Sequence, residues 1–482
     1  MSSPSKFNVT ILRSIFWIAG SSYMMTAVSF LGNLALARLL SPVEFGDFTV
    51  AASVALLIYM VAGFGSQEAL IQYRGEDETE VVATAFWVSI GVGVVLAVVS
   101  VLIGVVVQQL GWYDNTISTL VIALSIIYFG RICSTTLGTL LQRDLNHQPI
   151  AVIFAVSKVL SFTIAVIAAW RGAGIWALFI REAIEILVNL IGLLYANQTI
   201  PKFGFTRAAL NHLLRFGSRI LVVRVSETVY GRVDNLLVER LFGSAALGSY
   251  GMAYRLSQLG HELTYQTIGS VMFSAFATIQ SSKERLKVGF ERSTYWLIRF
   301  ALLVSLVAFA AGEEVTVLLY GEPWREAGKL LVWMTPFIFF LPLYSNNRML
   351  LEAIGLLNET IYASLIKAAV FVLGLLVFPR FFGLAGVVLT VHLSMFTGWL
   401  LLSYYIGRHL LIDWLHLGLR PFFALIVTGG YIVWWGSGVD LSFGRILITI
   451  FTTIAVYLLS LVLFEYKLLV EEANTIKRIA SK

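Results

Sequence analysis

One cysteine stands in the 482 residues, Cys133. A lone thiol makes no disulfide and no cysteine-based zinc site within one chain. The six histidines are scattered, with no H-x-x-x-H pair on a helix, so no metal is expected. No G-x-x-x-x-G-K-[ST] run is present, which excludes nucleotide hydrolysis through a P-loop. No cofactor or enzymatic activity is expected. Charge is scarce as well: Asp, Glu, Lys and Arg make up 13%, where a soluble domain carries about 25%. Apolar residues take their place, at 58% of the chain with a mean hydropathy of +0.83. A soluble protein of this length has too little interior to hide them. They fall in repeated runs of the roughly 20 residues that cross a bilayer as a helix. They do not alternate with polar residues as the strands of a membrane barrel would.

The spacing predicts fourteen spans, near 14–37, 48–73, 81–107, 117–141, 151–170, 173–196, 213–241, 245–275, 294–312, 329–352, 359–378, 383–407, 420–436 and 443–464. The first run is too long for a cleavable signal, whose apolar core is about 7–15 residues. Pro42, Pro149, Pro201, Pro323, Pro379 and Pro421 fall at or between spans, where a missing backbone donor does least harm. With the N-terminus inside, cytoplasmic segments hold 17 Lys and Arg and outer segments hold 7, the asymmetry of the positive-inside rule. The net charge of +6 follows from those loops and calls for no nucleic acid. Both termini are expected in the cytoplasm. The tail from Glu465 mixes apolar and charged residues and is expected along the inner membrane surface. The longest outer segment is expected near Gly312–Lys329.

The chain also repeats itself. Residues 36–51, LARLLSPVEFGDFTVA, align with 238–253, VERLFGSAALGSYGMA, placing Gly46 over Gly248 and Phe48 over Tyr250. Residues 141–158 align with 350–367, placing Lys158 over Lys367, and Gly172-Ala-Gly174 aligns with Gly383-Leu-Ala-Gly386. Spans 1–6 therefore resemble spans 7–12. Because six is even, both halves enter from the same side, which sets a pseudo-twofold axis along the membrane normal. The expected fold is an all-α membrane protein of about 14 transmembrane helices. Two six-helix bundles, 1–200 and 201–410, form a parallel repeat. Two extra C-terminal helices occupy 411–465, and an amphipathic tail occupies 466–482.

The segments ARLLSPVEFGDF (37–48), GFGSQEALIQ (63–72) and ATAFW (83–87) resemble the polysaccharide transporters related to Wzx flippases. These belong to the multidrug/oligosaccharidyl-lipid/polysaccharide exporter superfamily. The segment DNLLVERLFGSAALGSYGMAYRL (234–256) resembles that family's seventh and eighth spans. The resemblance covers residues 10 to about 410. It implies movement of a lipid-linked oligosaccharide from the inner to the outer leaflet of a bacterial cytoplasmic membrane. It also implies a monomer with two six-helix bundles around a cavity that opens alternately to each side. A polysaccharide polymerase and export machinery are candidate partners.

Ionisable residues inside spans are expensive and mark functional sites. In the seventh span Arg224, Glu227, Gly231 and Asp234 share one helix face, with Arg232 on another. The eighth carries a stripe of Arg255, Gln258, Glu262, Gln266 and Gly269. The sixth carries Arg181, Glu182, Glu185 and Asn189, and the fourth Tyr128, Arg131, Thr135 and Gly138. Lys158, Arg348 and Lys367 add further cations. Arginine suits a diphosphate because its planar fork donates paired hydrogen bonds. Candidate substrate-binding residues are therefore Arg131, Arg181, Arg224, Arg232, Arg255 and Arg348, with Gln258, Asn346 and Asn347 for sugar hydroxyls. Glu182, Glu185, Glu227, Asp234 and Glu262 are candidate carriers for coupling to a proton or sodium gradient. The competing reading is ion pairing: Arg224 with Glu227, Arg181 with Glu185 at i, i+4, and Arg255 with Glu262. Pro336 and Pro342 mark the tenth span for a bend or break. The seventh and eighth spans are expected to supply much of the binding chemistry. A multidrug exporter and a lipid II flippase of the same superfamily are the alternatives, the first disfavoured by the excess of cations.

Overall fold

The computed structural model describes residues 24–60, 62, 78–143, 147–198, 201–211, 213–215, 221, 228, 231–435 and 443–480. Arg224 and Glu227, and the motif at 63–72, lie outside the described residues. The chain forms two compact units, Met1–Gly248 and Ser249–Lys482.

The first unit holds α1 (Met24–Leu39), α2 (Pro42–Tyr59), α3 (Glu78–Gln109), α4 (Asn115–Arg143), α5 (His147–Trp170), α6 (Trp176–Asn197) and α7 (Val233–Phe242), and the first turn of α8 (Ser244–Ile279). Helix α2 begins six residues before the expected span because Ser41 forms a capping box. Its hydroxyl accepts from the Glu44 N–H, while the Glu44 carboxylate accepts from the Ser41 N–H at 2.8 Å. Pro42 fits the first turn, where no backbone donor is needed. Helices α3 to α6 pack as neighbours through Phe86, Leu137, Leu141, Ile150 and Leu193. Gly172 and Gly174, both at positive φ, make the turn between α5 and α6.

The second unit continues α8 and adds α9 (Lys283–Tyr320), α10 (Arg325–Trp333), α11 (Thr335–Ala353), α12 (Leu357–His409), α13 (Trp414–Trp435) and α14 (Phe443–Ala480). Helix α12 breaks at Gly383 (φ 58°, ψ −139°) and so supplies the expected eleventh and twelfth spans. The repeat alignment had placed Gly383 over Gly172, and both carry positive φ. The outer segment expected as a loop is helical instead: α9 runs on to Tyr320, and a 3-10 turn at Glu322–Trp324 joins α10. Fully buried Trp324 anchors that turn. The tenth span is broken, with α10 and α11 meeting at 54°. Met334 marks the break, two residues ahead of Pro336.

Among the described residues, α2, α3, α4, α5, α9, α12, α13 and α14 are each long and apolar enough to cross a membrane, and α10 with α11 reach that length and apolarity together as a bent pair. Helix α6 has the length but carries three charges over its 22 residues.

Candidate functional site

The charges of α4, α5 and α6 form one network. Glu182 divides its carboxylate between two arginines: Oε1 accepts from Arg181 Nη2 at 2.5 Å and Oε2 from Arg131 Nη2 at 2.6 Å. One turn on, Glu185 takes Lys158 Nζ of α5 at 2.9 Å. The pair of Arg181 with Glu185, raised as the competing reading, does not form. Lys158 reaches Glu185 from the neighbouring helix, and Arg181 turns to Glu182 and to the Asn33 side-chain oxygen of α1, 3.5 Å away. The Arg181 guanidinium also lies over the rings of Phe48 and Phe162, 5.9 and 5.6 Å from their centroids.

The three cations are not equivalent. Arg181 is 13% exposed, fixed by a carboxylate, an amide and two rings. Arg131 is 42% exposed and leans on Tyr128 at 5.2 Å. Lys158 lies between them at 29%. Arg131 thus presents its charge while Arg181 holds the shared carboxylate in place. Arg232, at the start of α7, lies within electrostatic reach of Tyr128 too. The Nε of Arg131 and the buried side-chain oxygen of Asn189 have no hydrogen-bond partner among the described residues. Leaving such groups unpaired costs about 1–3 kcal/mol each.

The other candidates are placed differently. Asp234 is buried and accepts from the Asn235 N–H at 2.8 Å, while the Asn235 amide donates to Ser53 Oγ of α2 at 2.9 Å. In the second unit Asn346 donates to Thr294 Oγ1 at 3.0 Å and Asn347 to Ser403 Oγ at 2.8 Å, both amides buried. Their hydrogen bonds tie α11 to α9 and to α12. Arg348 pairs with Glu352 one turn on, at 2.6 Å. Arg255 is exposed, with half-buried Glu262 in its electrostatic reach and half-buried Gln258 on the same helix.

The network has no copy in the second half. With Gly174 over Gly386, Arg181, Glu182 and Glu185 stand over Leu393, Ser394 and Thr397. Lys367, the counterpart of Lys158, lies over the Tyr344 ring at 4.4 Å. Among the described residues of the first unit the densest charge network therefore belongs to α4–α6; of the charges expected in the seventh span, Arg224 and Glu227 lie outside the described residues.

The two copies of the repeated motif meet within the first unit. A Cβ on Gly46 would collide with the Ser244 carbonyl, and a Cβ on Gly248 with the Pro42 carbonyl. Pro42 corresponds to Ser244 and Gly46 to Gly248, so the contact is reciprocal, as across a twofold axis. Polar contacts frame it. The Ser244 side chain hydrogen-bonds Asp47, and the Tyr113 phenol donates to Glu239. Burial raises the Tyr113 hydroxyl above its ordinary pKa, and the Glu239 charge adds to the rise.

Helices long and apolar enough to cross a membrane, together with the repeat, define a multi-pass membrane protein. Solved structures share this fold. The lipid II flippase MurJ, in an inward closed conformation, gives a TM-score of 0.76 at 15% identity, over 94% of this chain and 99% of that one. An inward-facing multidrug resistance MATE transporter of the MOP superfamily gives 0.64 at 15%, over 80% and 98%. Residues 35–329 match the family described as "Polysaccharide biosynthesis protein", and the chain belongs to that family. Its relatives include the succinoglycan biosynthesis transport protein ExoT of Rhizobium meliloti (strain 1021), 26% identical over 67% of this chain and 65% of that one. Another is the lipopolysaccharide biosynthesis protein WzxC of Escherichia coli (strain K12), 26% identical over 64% and 63%. The match thus spans a little under two thirds of these relatives.

Proposed function

We propose that this protein is a flippase. It moves a polyprenyl-diphosphate-linked oligosaccharide from the inner to the outer leaflet of the bacterial cytoplasmic membrane, by alternating access between two six-span halves. The observation that carries this reading is the α4–α6 network, in which Arg131, Lys158 and Arg181 pair, among the described residues, with Glu182 and Glu185. The net positive charge suits a diphosphate, and Arg131 is the cation with room to engage one. Glu182 keeps Arg181 when Arg131 turns to the substrate, so the exchange strands no buried charge. The carboxylates of Glu182 and Glu185 are the groups through which a proton or sodium gradient acts. The chain works as a monomer with both termini in the cytoplasm, where its positive segments lie.

Alternating access requires the two motif copies to part and rejoin, and their glycines let them meet backbone to backbone. A multidrug exporter of cations is disfavoured by the sign of the network. The fold likeness to MurJ keeps a lipid II flippase as the second reading. A deletion strain separates the two. The polysaccharide reading predicts loss of surface glycan, accumulation of its lipid-linked repeat unit and intact cell-wall synthesis, all reversed by a plasmid copy. Unchanged glycan output, or arrest of cell-wall synthesis instead, contradicts it.

A further inference from the structure

The most buried ion pair among the described residues of the second unit lies outside this network. Arg299 of α9 and Glu465 of α14 have side chains 4% and 0% exposed. The guanidinium meets the carboxylate with two prongs, Nε to Oε2 at 2.6 Å and Nη2 to Oε1 at 2.5 Å. Its remaining nitrogen donates to the Tyr295 carbonyl at 2.6 Å, and the Tyr295 ring lies 3.3 Å beneath the guanidinium. From α14 the Tyr457 hydroxyl donates to the Arg299 carbonyl at 2.8 Å. Around these polar groups the helices pack through Ile298, Leu302, Leu461 and Ala424. Glu465 is thus an interior residue, which corrects its expected place at the head of a surface tail.

The repeat gives the pair its meaning. Helix α3, the counterpart of α9 in the first half, has no charged residue from Val81 to Gln109. Arg299 is a departure from the repeat. Helices α13 and α14 are a second departure, since the first half has nothing corresponding to them. The two departures meet in one contact. An arginine within a span is costly in lipid unless it is covered and paired, and α14 supplies both the cover and the carboxylate. Conversely, Glu465, at the end of the apolar stretch of α14, has its charge balanced by α9.

We propose that Arg299 and Glu465 form a clamp that fastens the added helix pair α13–α14 to α9, and that the clamp stays closed throughout transport. The added helices are then an obligate, rigid part of the second unit. Removing one member of a buried pair leaves the other charge stranded, whereas replacing both with apolar residues is often tolerated.

The test compares Glu465→Gln, Arg299→Gln, the double variant Arg299→Leu/Glu465→Leu and the exchange Arg299→Glu/Glu465→Arg in the full-length protein. Membrane accumulation and the apparent Tm in detergent are read first, because they do not depend on what is transported. Surface glycan is read second. Each single variant is expected to accumulate about tenfold less than wild type. At least one double variant is expected to recover to within about twofold and to export normally. Single variants that accumulate and melt like wild type overturn the clamp. So does failure of both double variants to recover. A double variant that accumulates but does not export shows that the pair opens during transport, which also overturns the proposal.

Discussion

Replacing Arg131 with alanine is expected to cut glycan export to about a tenth or less while the protein still accumulates in the membrane. Arg131 is the most exposed cation of the network, and its partner Glu182 keeps Arg181 when it is gone. The fold therefore loses little. The substrate loses a charge-assisted two-pronged contact in a partly desolvated site, of the class that costs about 2–5 kcal/mol when truncated. That loss weakens binding by roughly 30-fold or more. Arg131→Lys keeps the charge but not the planar fork and recovers only part of the export. Glu182→Gln behaves in the opposite way. It strands Arg181, 13% exposed, without its carboxylate, and lowers accumulation first, by about 3–5 kcal/mol of stability. Export and membrane abundance, measured together for the three variants, separate the two roles. Wild-type export from Arg131→Ala contradicts the assignment.

Adding one methyl group at the motif contact has the next largest effect. Gly46→Ala and Gly248→Ala each drive a Cβ into a backbone carbonyl of the other copy. Backbone atoms have no rotamer to retreat into, so each costs at least the 1–3 kcal/mol typical of overpacking. Gly251 is the internal control. It lies in α8, three residues beyond Gly248, and a Cβ there meets nothing within 4 Å. Gly251→Ala gains up to about 1 kcal/mol of helix propensity. Apparent Tm values in detergent should fall for the first two and hold or rise for the third. Equal behaviour of all three removes the close approach as the reason for the glycines.

The spans and the repeat were legible because each rests on a local pattern. Hydropathy over some 20 residues reports a bilayer crossing, and the Gly46 and Gly248 alignment rests on identities within 16 residues. The partners of Arg131, Lys158 and Arg299 were not legible, because they come from other helices. Arg181 and Glu185 have the spacing for an i, i+4 pair, but Lys158 arrives from 27 residues away and takes the carboxylate. Asn346 and Asn347 read as polar groups inside a span, and nothing in their spacing announces Thr294 and Ser403 as partners. Arg299 and Glu465 are separated by 166 residues. Each near the edge of an apolar run, they read singly as boundary charges. A partial signal was nonetheless present: Arg299 is the one charged residue inside the expected span 294–312.

The most direct test uses purified protein in proteoliposomes containing a fluorescent polyprenyl-diphosphate oligosaccharide. Its transbilayer movement is followed by the access of an external glycosidase. Wild type should accelerate the movement, and Arg131→Ala should run at about a tenth of that rate or less. The same glycan on an uncharged lipid anchor should be moved poorly by both. If the variant matches wild type, or the uncharged lipid crosses as fast as the diphosphate, the α4–α6 cations do not recognise the substrate and the account fails at its centre.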